Sequence, residues 1–128
     1  MKNQILYKTK PFENIKDIIK NSVEKFGEKN AFIIKNKNGK EITYTNITYK
    51  EFYDDINYLG TALINRKLKG EKIAVIGKNR YEWVTSYLSV IDGVGIIVPL
   101  DRGLPEKEIE ESLKRANVKA IIFENEFE

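Results

Sequence analysis

A chain of 128 residues, 41% hydrophobic, 32% charged and 11% aromatic, has the make-up of one soluble globular domain or a piece of one. With no Cys and no His it excludes thiolate nucleophiles, disulfides, histidine general bases and the usual zinc ligand sets, leaving carboxylates, Lys, Arg, Tyr and hydroxyls for any chemistry. The formal charge of +3 comes from 22 basic and 19 acidic residues interspersed along the chain, with Lys far outnumbering Arg, so the basic, Arg-bearing stripe of a nucleic-acid binder is missing.

No apolar run reaches bilayer length, and the N-terminus MKNQILYKTKPF lacks an apolar core followed by a small-residue cleavage site. This predicts a cytoplasmic protein without a transmembrane segment. Residues 1–13 read as an extension. From Asn14 to Phe26, Ile15, Ile18, Ile19, Val23 and Phe26 recur at helical spacing, with Asn14 and Asp17 suited to the first turn and Gly27 as the stop. Ala31–Lys35 and Glu41–Thr45 are β-prone runs around NKNGK, whose Asn38-Gly39 pair favours the positive φ values of a tight hairpin.

Residues 14–47 thus form a helix and a hairpin, and 48–128 a helix followed by a βαβαβ unit. Thr48 and Glu51 have the Ser/Thr-x-x-Glu spacing of a capping box, ahead of a helix with Phe52, Ile56, Leu59 and Leu63 on one face. Gly60, costly in a helix interior, implies close packing against a neighbour. Asp54 and Asp55 are adjacent in sequence and so point apart, which argues against an acid/base pair.

After Gly70 the order is strand, helix, strand, helix, strand, over Lys72–Ile76, Arg80–Asp92, Gly95–Val98, Pro105–Ala116 and Lys119–Phe123. The strands are continuously apolar, as expected when both faces are covered, and the crossovers predict a parallel sheet. The fold class is α/β. The last predicted strand is followed by only a few residues, where such a fold would normally add another helix, so the chain reads as cut short.

Gly70 and Gly77-Lys78 are too far apart for a P-loop, and Asn79 stands where magnesium would want Ser or Thr. Gly93-x-Gly95 resembles half of a dinucleotide fingerprint, but Val98 takes the place of the third glycine and the segment enters a strand. Both are read as turns. Asn79 and Glu82 repeat the capping spacing and are read as a helix cap, and Trp83, one position further on an apolar face, as core. Arg102, beside Asp101 after a parallel strand, is the best-placed charge for a ligand, although a solvated loop charge is the commoner outcome.

Taken in order, TYKEFYDDINYLGTAL, KGEKIAVIGKNRYEW and VGIIVPLDRGLPEKEIEESLKRANVKAIIF resemble the N-terminal part of the adenylate-forming, AMP-binding enzymes. Asn79-x-x-Glu82-Trp83 and Val98-Pro99-Leu100-Asp101 are most similar to their long-chain fatty-acid–CoA ligases, and the resemblance runs from about Ile15 to Phe123. It places Thr48, Glu51, Asn79, Glu82, Trp83, Pro99 and Asp101 on family-motif positions with structural roles.

The resemblance implies an incomplete part of the large domain of the acyl-CoA synthetase-like fold. It also implies a parent enzyme that uses ATP, Mg and coenzyme A to turn a fatty acid into acyl-CoA through an acyl-adenylate. The family's Ser/Thr/Gly-rich phosphate loop, its acidic residue on the adenine-ribose side and its C-terminal lysine domain match nothing here. No catalytic, cofactor or metal residue is therefore assigned, and the chain alone is expected neither to adenylate nor to bind ATP appreciably. Its partner is expected to be the remainder of a synthetase, with self-association through sheet or helix faces left uncovered. A free-standing binding or scaffold module, or a piece of an acyl-AMP ligase or amino-acid adenylation domain, is an alternative.

Overall fold

The computed structural model describes residues 11–125. Helix α1 spans Ile15–Phe26, and the Asn14 side chain caps it by accepting from the Asp17 N–H at 2.9 Å. The antiparallel hairpin that follows pairs β1 (Asn30–Asn38) with β2 (Glu41–Thr48), both longer than their apolar runs predict because the polar residues near the turn continue the ladder. Asn38 ends β1 opposite Glu41, so the positive φ expected of an Asn38-Gly39 pair is taken by Gly39 alone, at +61°.

At the foot of the hairpin the predicted capping box is complete. Thr48 Oγ1 accepts from the Glu51 N–H at 3.1 Å, and Glu51 Oε2 accepts from the Thr48 N–H at 2.8 Å. The helix it opens, α2, runs Tyr49–Asn65 and buries Ile56, Gly60 and Leu63. An added Cβ at Gly60 would stand 3.5 Å from the Ser89 carbonyl oxygen and from Val94 Cγ2, so α2 does pack closely there.

The βαβαβ unit comprises β3 (Lys72–Ile76), α3 (Tyr81–Ser89), β4 (Ile96–Pro99), α4 (Glu106–Ala116) and β5 (Ala120–Phe123). All pairings are parallel, in the order β4-β3-β5. The chain steps from β3 to one neighbour and then back across β3 to the other, so right-handed crossovers put α3 and α4 on opposite faces of the sheet. On the α3 side Leu63, Val90 and Val94 close over Ile73, with Leu59, Leu68, Ile97, Ala120 and Ile122 packed around them.

Two expectations are corrected. Helix α3 does not continue to Asp92: it gives way at Val90 to a π-helical turn, Val90–Val94, in which Gly93 takes φ +121° to swing the chain into β4. Nor are all three strands covered on both faces. Only β3 is buried from Ile73 to Ile76, whereas Ile96, Ile121 and Phe123 remain 56%, 41% and 45% exposed. They lie on the side opposite Ile73, where α4 buries none of its own residues and so shields little.

Candidate functional site

Opposite placement of α3 and α4 parts the loops that leave β3 and β4. A crevice forms at the carboxyl ends of the strands, the place where open α/β sheets receive ligands. Two adjoining clefts occupy it. The larger, about 480 Å³, lies between the ends of β3 and β5 and the start of α3, and is lined by Ile76, Arg80, Trp83, Phe123 and Glu124 among others. The smaller, about 320 Å³, lies between Gly77–Asn79 and Leu100–Arg102.

Trp83 lines both clefts. It is half-buried, its ring stacked on Tyr87 with centroids 5.4 Å apart, so it forms a cleft wall rather than core. The capping pattern at Asn79 and Glu82 is also corrected. Helix α3 starts at Tyr81 with Arg80 in the extended N-cap geometry, and no side chain caps it. Glu82 turns instead to Arg80, whose Nε and Nη2 donate to its two carboxylate oxygens at 2.6 and 3.0 Å.

Arg80 reaches across the cleft as well, donating through Nη1 to Glu124 Oε1 at 2.9 Å, while Glu124 Oε2 accepts from the Lys78 N–H at 2.9 Å. These contacts hold both carboxyls below their ordinary range: Glu82 mainly through Arg80, Glu124 mainly through the Lys78 amide. The guanidinium is pushed up by its bonds to Glu82 and then Glu124.

The other singled-out residues have structural places. Pro99 ends β4 in register with Val75, and the Leu100 N–H donates to the Val75 carbonyl at 3.0 Å. Asp101 folds its own loop by accepting from the Gly103 N–H at 2.8 Å. Thr48 and Glu51 stand at the start of α2 and line neither cleft. Arg102 does line the smaller cleft, as its place after a parallel strand predicts.

Sequence reasoning missed Arg80 and Glu124, which lie 44 residues apart and meet only once β5 pairs with β3. It also missed the tyrosine of the Phe32, Phe52 and Tyr81 cluster that ties hairpin, α2 and α3 together. The rings lie 4.9–5.7 Å apart, and the Tyr81 hydroxyl donates to Asp55 Oδ2 at 2.6 Å. Burial first, then this bond, pushes the Tyr81 phenol above its ordinary value.

The turn after β3 offers a triphosphate neither the Lys78 backbone amide nor the Arg80 guanidinium. The Lys78 amide is taken by Glu124, Arg80 is paired with two carboxylates, and a Cβ at Gly77 would already touch the Glu124 side chain at 3.5 Å. Among the described residues no group of three or more acidic side chains gathers to hold a metal.

The family model described as AMP-binding enzyme matches residues 19–128. The chain belongs to the AMP-binding enzyme family. The match takes in all five strands and both clefts. Among curated AMP-binding relatives, the uncharacterized acyl-CoA ligase YtcI of Bacillus subtilis is 28% identical over 111 residues, which is 84% of this chain and 20% of that protein. The long-chain-fatty-acid–CoA ligase ACSBG2 of Rattus norvegicus is 29% identical over 113 residues, 88% of this chain and 16% of that one.

Of solved structures, the N-terminal subdomain of Klebsiella oxytoca NpsA superposes with a TM-score of 0.74 at 23% identity, covering 89% of this chain and 28% of that one. The anthranilate CoA ligase AuaEII, in complex with anthranoyl-AMP, gives 0.75 at 22%, covering 93% and 22%. The chain thus has the fold of part of an adenylate-forming N-terminal subdomain and spans about a fifth of the length of the curated relatives it matches.

Proposed function

We propose that the chain is the N-terminal framework of a long-chain acyl-CoA synthetase, an enzyme that joins a fatty acid to coenzyme A by way of an acyl-adenylate, with release of AMP and pyrophosphate. Within that enzyme these residues carry no chemistry. They supply a parallel sheet, a helix layer on one face and a rigid crevice edge against which the reacting groups are positioned by other sequence. In-line attack on a nucleotide phosphate needs neutralised phosphate oxygens and an oriented carboxylate, and positioning of this kind comes from rigid elements.

The observation that carries this reading is the ionic closure of the crevice. In a family that handles ATP, the Arg80 guanidinium at the start of α3 is spent on Glu82 and Glu124, and the turn amide that would face a phosphate is spent on Glu124. Such a turn is built to be rigid. The carriers of chemistry belong elsewhere in the enzyme.

Replacing the matching segment of the rat long-chain ligase by residues 19–128 of this chain tests the reading. The chimera is expected to make palmitoyl-CoA from ATP, palmitate and coenzyme A, and to keep doing so when Arg80 is changed to Lys. A soluble, cooperatively folding chimera without that activity contradicts the framework role. Its sharp loss on Arg80→Lys alone, with folding intact, contradicts the exclusion of Arg80 from the chemistry.

A further inference from the structure

The β1–β2 ladder sets Ile33, Lys35 and Lys37 opposite Asn46, Tyr44 and Ile42, and side chains directly opposite one another in a ladder share a face. The other face is spent within the fold. Phe32 packs on the rings of Phe52 and Tyr81, and Asn36 Nδ2 donates to Thr45 Oγ1 at 2.8 Å. The first face is left open by the described residues: Ile33 and Tyr44 are each 63% exposed and Ile42 48%. Lys40 stands at the turn, and Glu41 is the only acidic residue between Lys35 and Asn46.

We infer that this outer hairpin face is a docking surface for an anionic phospholipid bilayer. Aliphatic side chains beside a tyrosine match the boundary between acyl chains and headgroups, where the ring buries its body and keeps its hydroxyl wet. The lysines lay their stems along the apolar residues and carry their ammonium groups outward to lipid phosphates. Charge decides the occupant. A second copy would set Lys35, Lys37 and Lys40 against their own like charges, and a nucleic acid would leave Ile33 and Ile42 with nothing to contact. The hairpin lies on the membrane and does not cross it. Among the described residues no helix is long and apolar enough to do so. The inference stands on the hairpin alone and is independent of the acyl-CoA synthetase reading.

Co-sedimentation of the 128-residue chain with phosphatidylcholine vesicles, with and without about one third phosphatidylglycerol, tests it. Binding is expected to the anionic vesicles only and to weaken at high salt. Lys35→Gln and Lys37→Gln should each weaken it roughly fivefold, the equivalent of one lysine at an anionic surface. Tyr44→Ser with Ile42→Ser should abolish most of it, while Tyr58→Ser with Ile64→Ser, at exposed positions of α2, leaves it unchanged. All six positions are exposed enough that an unaltered thermal midpoint verifies folding. Anionic vesicles should also slow hydrogen exchange of the 33–46 amides. Equal binding to both vesicle types, or binding insensitive to the hairpin substitutions, overturns the inference. So does a hairpin-dependent dimer formed without lipid.

Discussion

Glu124 fastens the end of β5 to the turn after β3 with one carboxylate, accepting from the Lys78 amide and the Arg80 guanidinium. Glu124→Ala, which removes the acceptor, is therefore expected to cost the Lys78 amide its protection in hydrogen exchange while the amides of β3 keep theirs. Uniform protection in the variant would show that the turn is rigid without the carboxylate. The same contacts set the pH response. Glu51, Glu82 and Glu124 are all held below the ordinary 4.5, so the stability they contribute is complete above that value and is lost as pH falls through their lower folded values. The thermal midpoint should be level near neutrality and fall below about pH 4.5, less steeply in Glu124→Gln. A midpoint level down to pH 3 would refute this. One spacing rule succeeded at Thr48 and Glu51 and failed at Asn79 and Glu82. In the second case the helix begins one residue later, and Glu82 has a cation at hand that the rule does not consider.

Helix α2 joins both halves of the chain, and its two special residues lend themselves to measurement by urea denaturation. Thr48→Ala removes the acceptor for the Glu51 amide and should cost about 1 kcal/mol. Gly60→Ala should stabilise by roughly 0.5–1 kcal/mol, because its Cβ meets Ser89 and Val94 at ordinary contact distance and helix propensity then decides the sign. Gly60→Leu should instead destabilise by about 1–3 kcal/mol by forcing α2 away from α3. Glycine acts differently at the entry to β4. A Cβ at Gly95 would stand 2.2 Å from the Glu71 carbonyl oxygen, so Gly95→Ala should cost about 3 kcal/mol. Element types were legible throughout, because periods of 3.6 and of continuous apolarity survive in the residues themselves. The early end of α3 was not. It follows from the π-helical turn and the positive φ of Gly93, which serve the register of β4 against β3 and leave no mark on the apolar pattern of Tyr87, Leu88 and Ile91.

At the scale of the molecule, the sheet is covered on one side, and on the other its flanking strands β4 and β5 are left open. Ile73 lies under Leu63, Val90 and Val94, while Ile96, Ile121 and Phe123 face outward near an α4 that buries nothing of its own. Apolar area of this kind drives association. Sedimentation velocity over a concentration series is expected to show oligomers that Ile96→Ser with Phe123→Ser reduces to monomer, and a monomer at every concentration would contradict that. The parallel unit and its family were readable from short motifs kept in order from Thr48 to Phe123. The crevice was readable only as a location, through Arg102 and the strand ends, since its ionic closure depends on β5 lying beside β3. The central claim is that this segment frames adenylate chemistry without performing it. Its most direct test is pyrophosphate release by the purified 128-residue chain supplied with magnesium, ATP and palmitate. The account predicts no release above a boiled control, and release above it, abolished by Arg80→Ala, would contradict it.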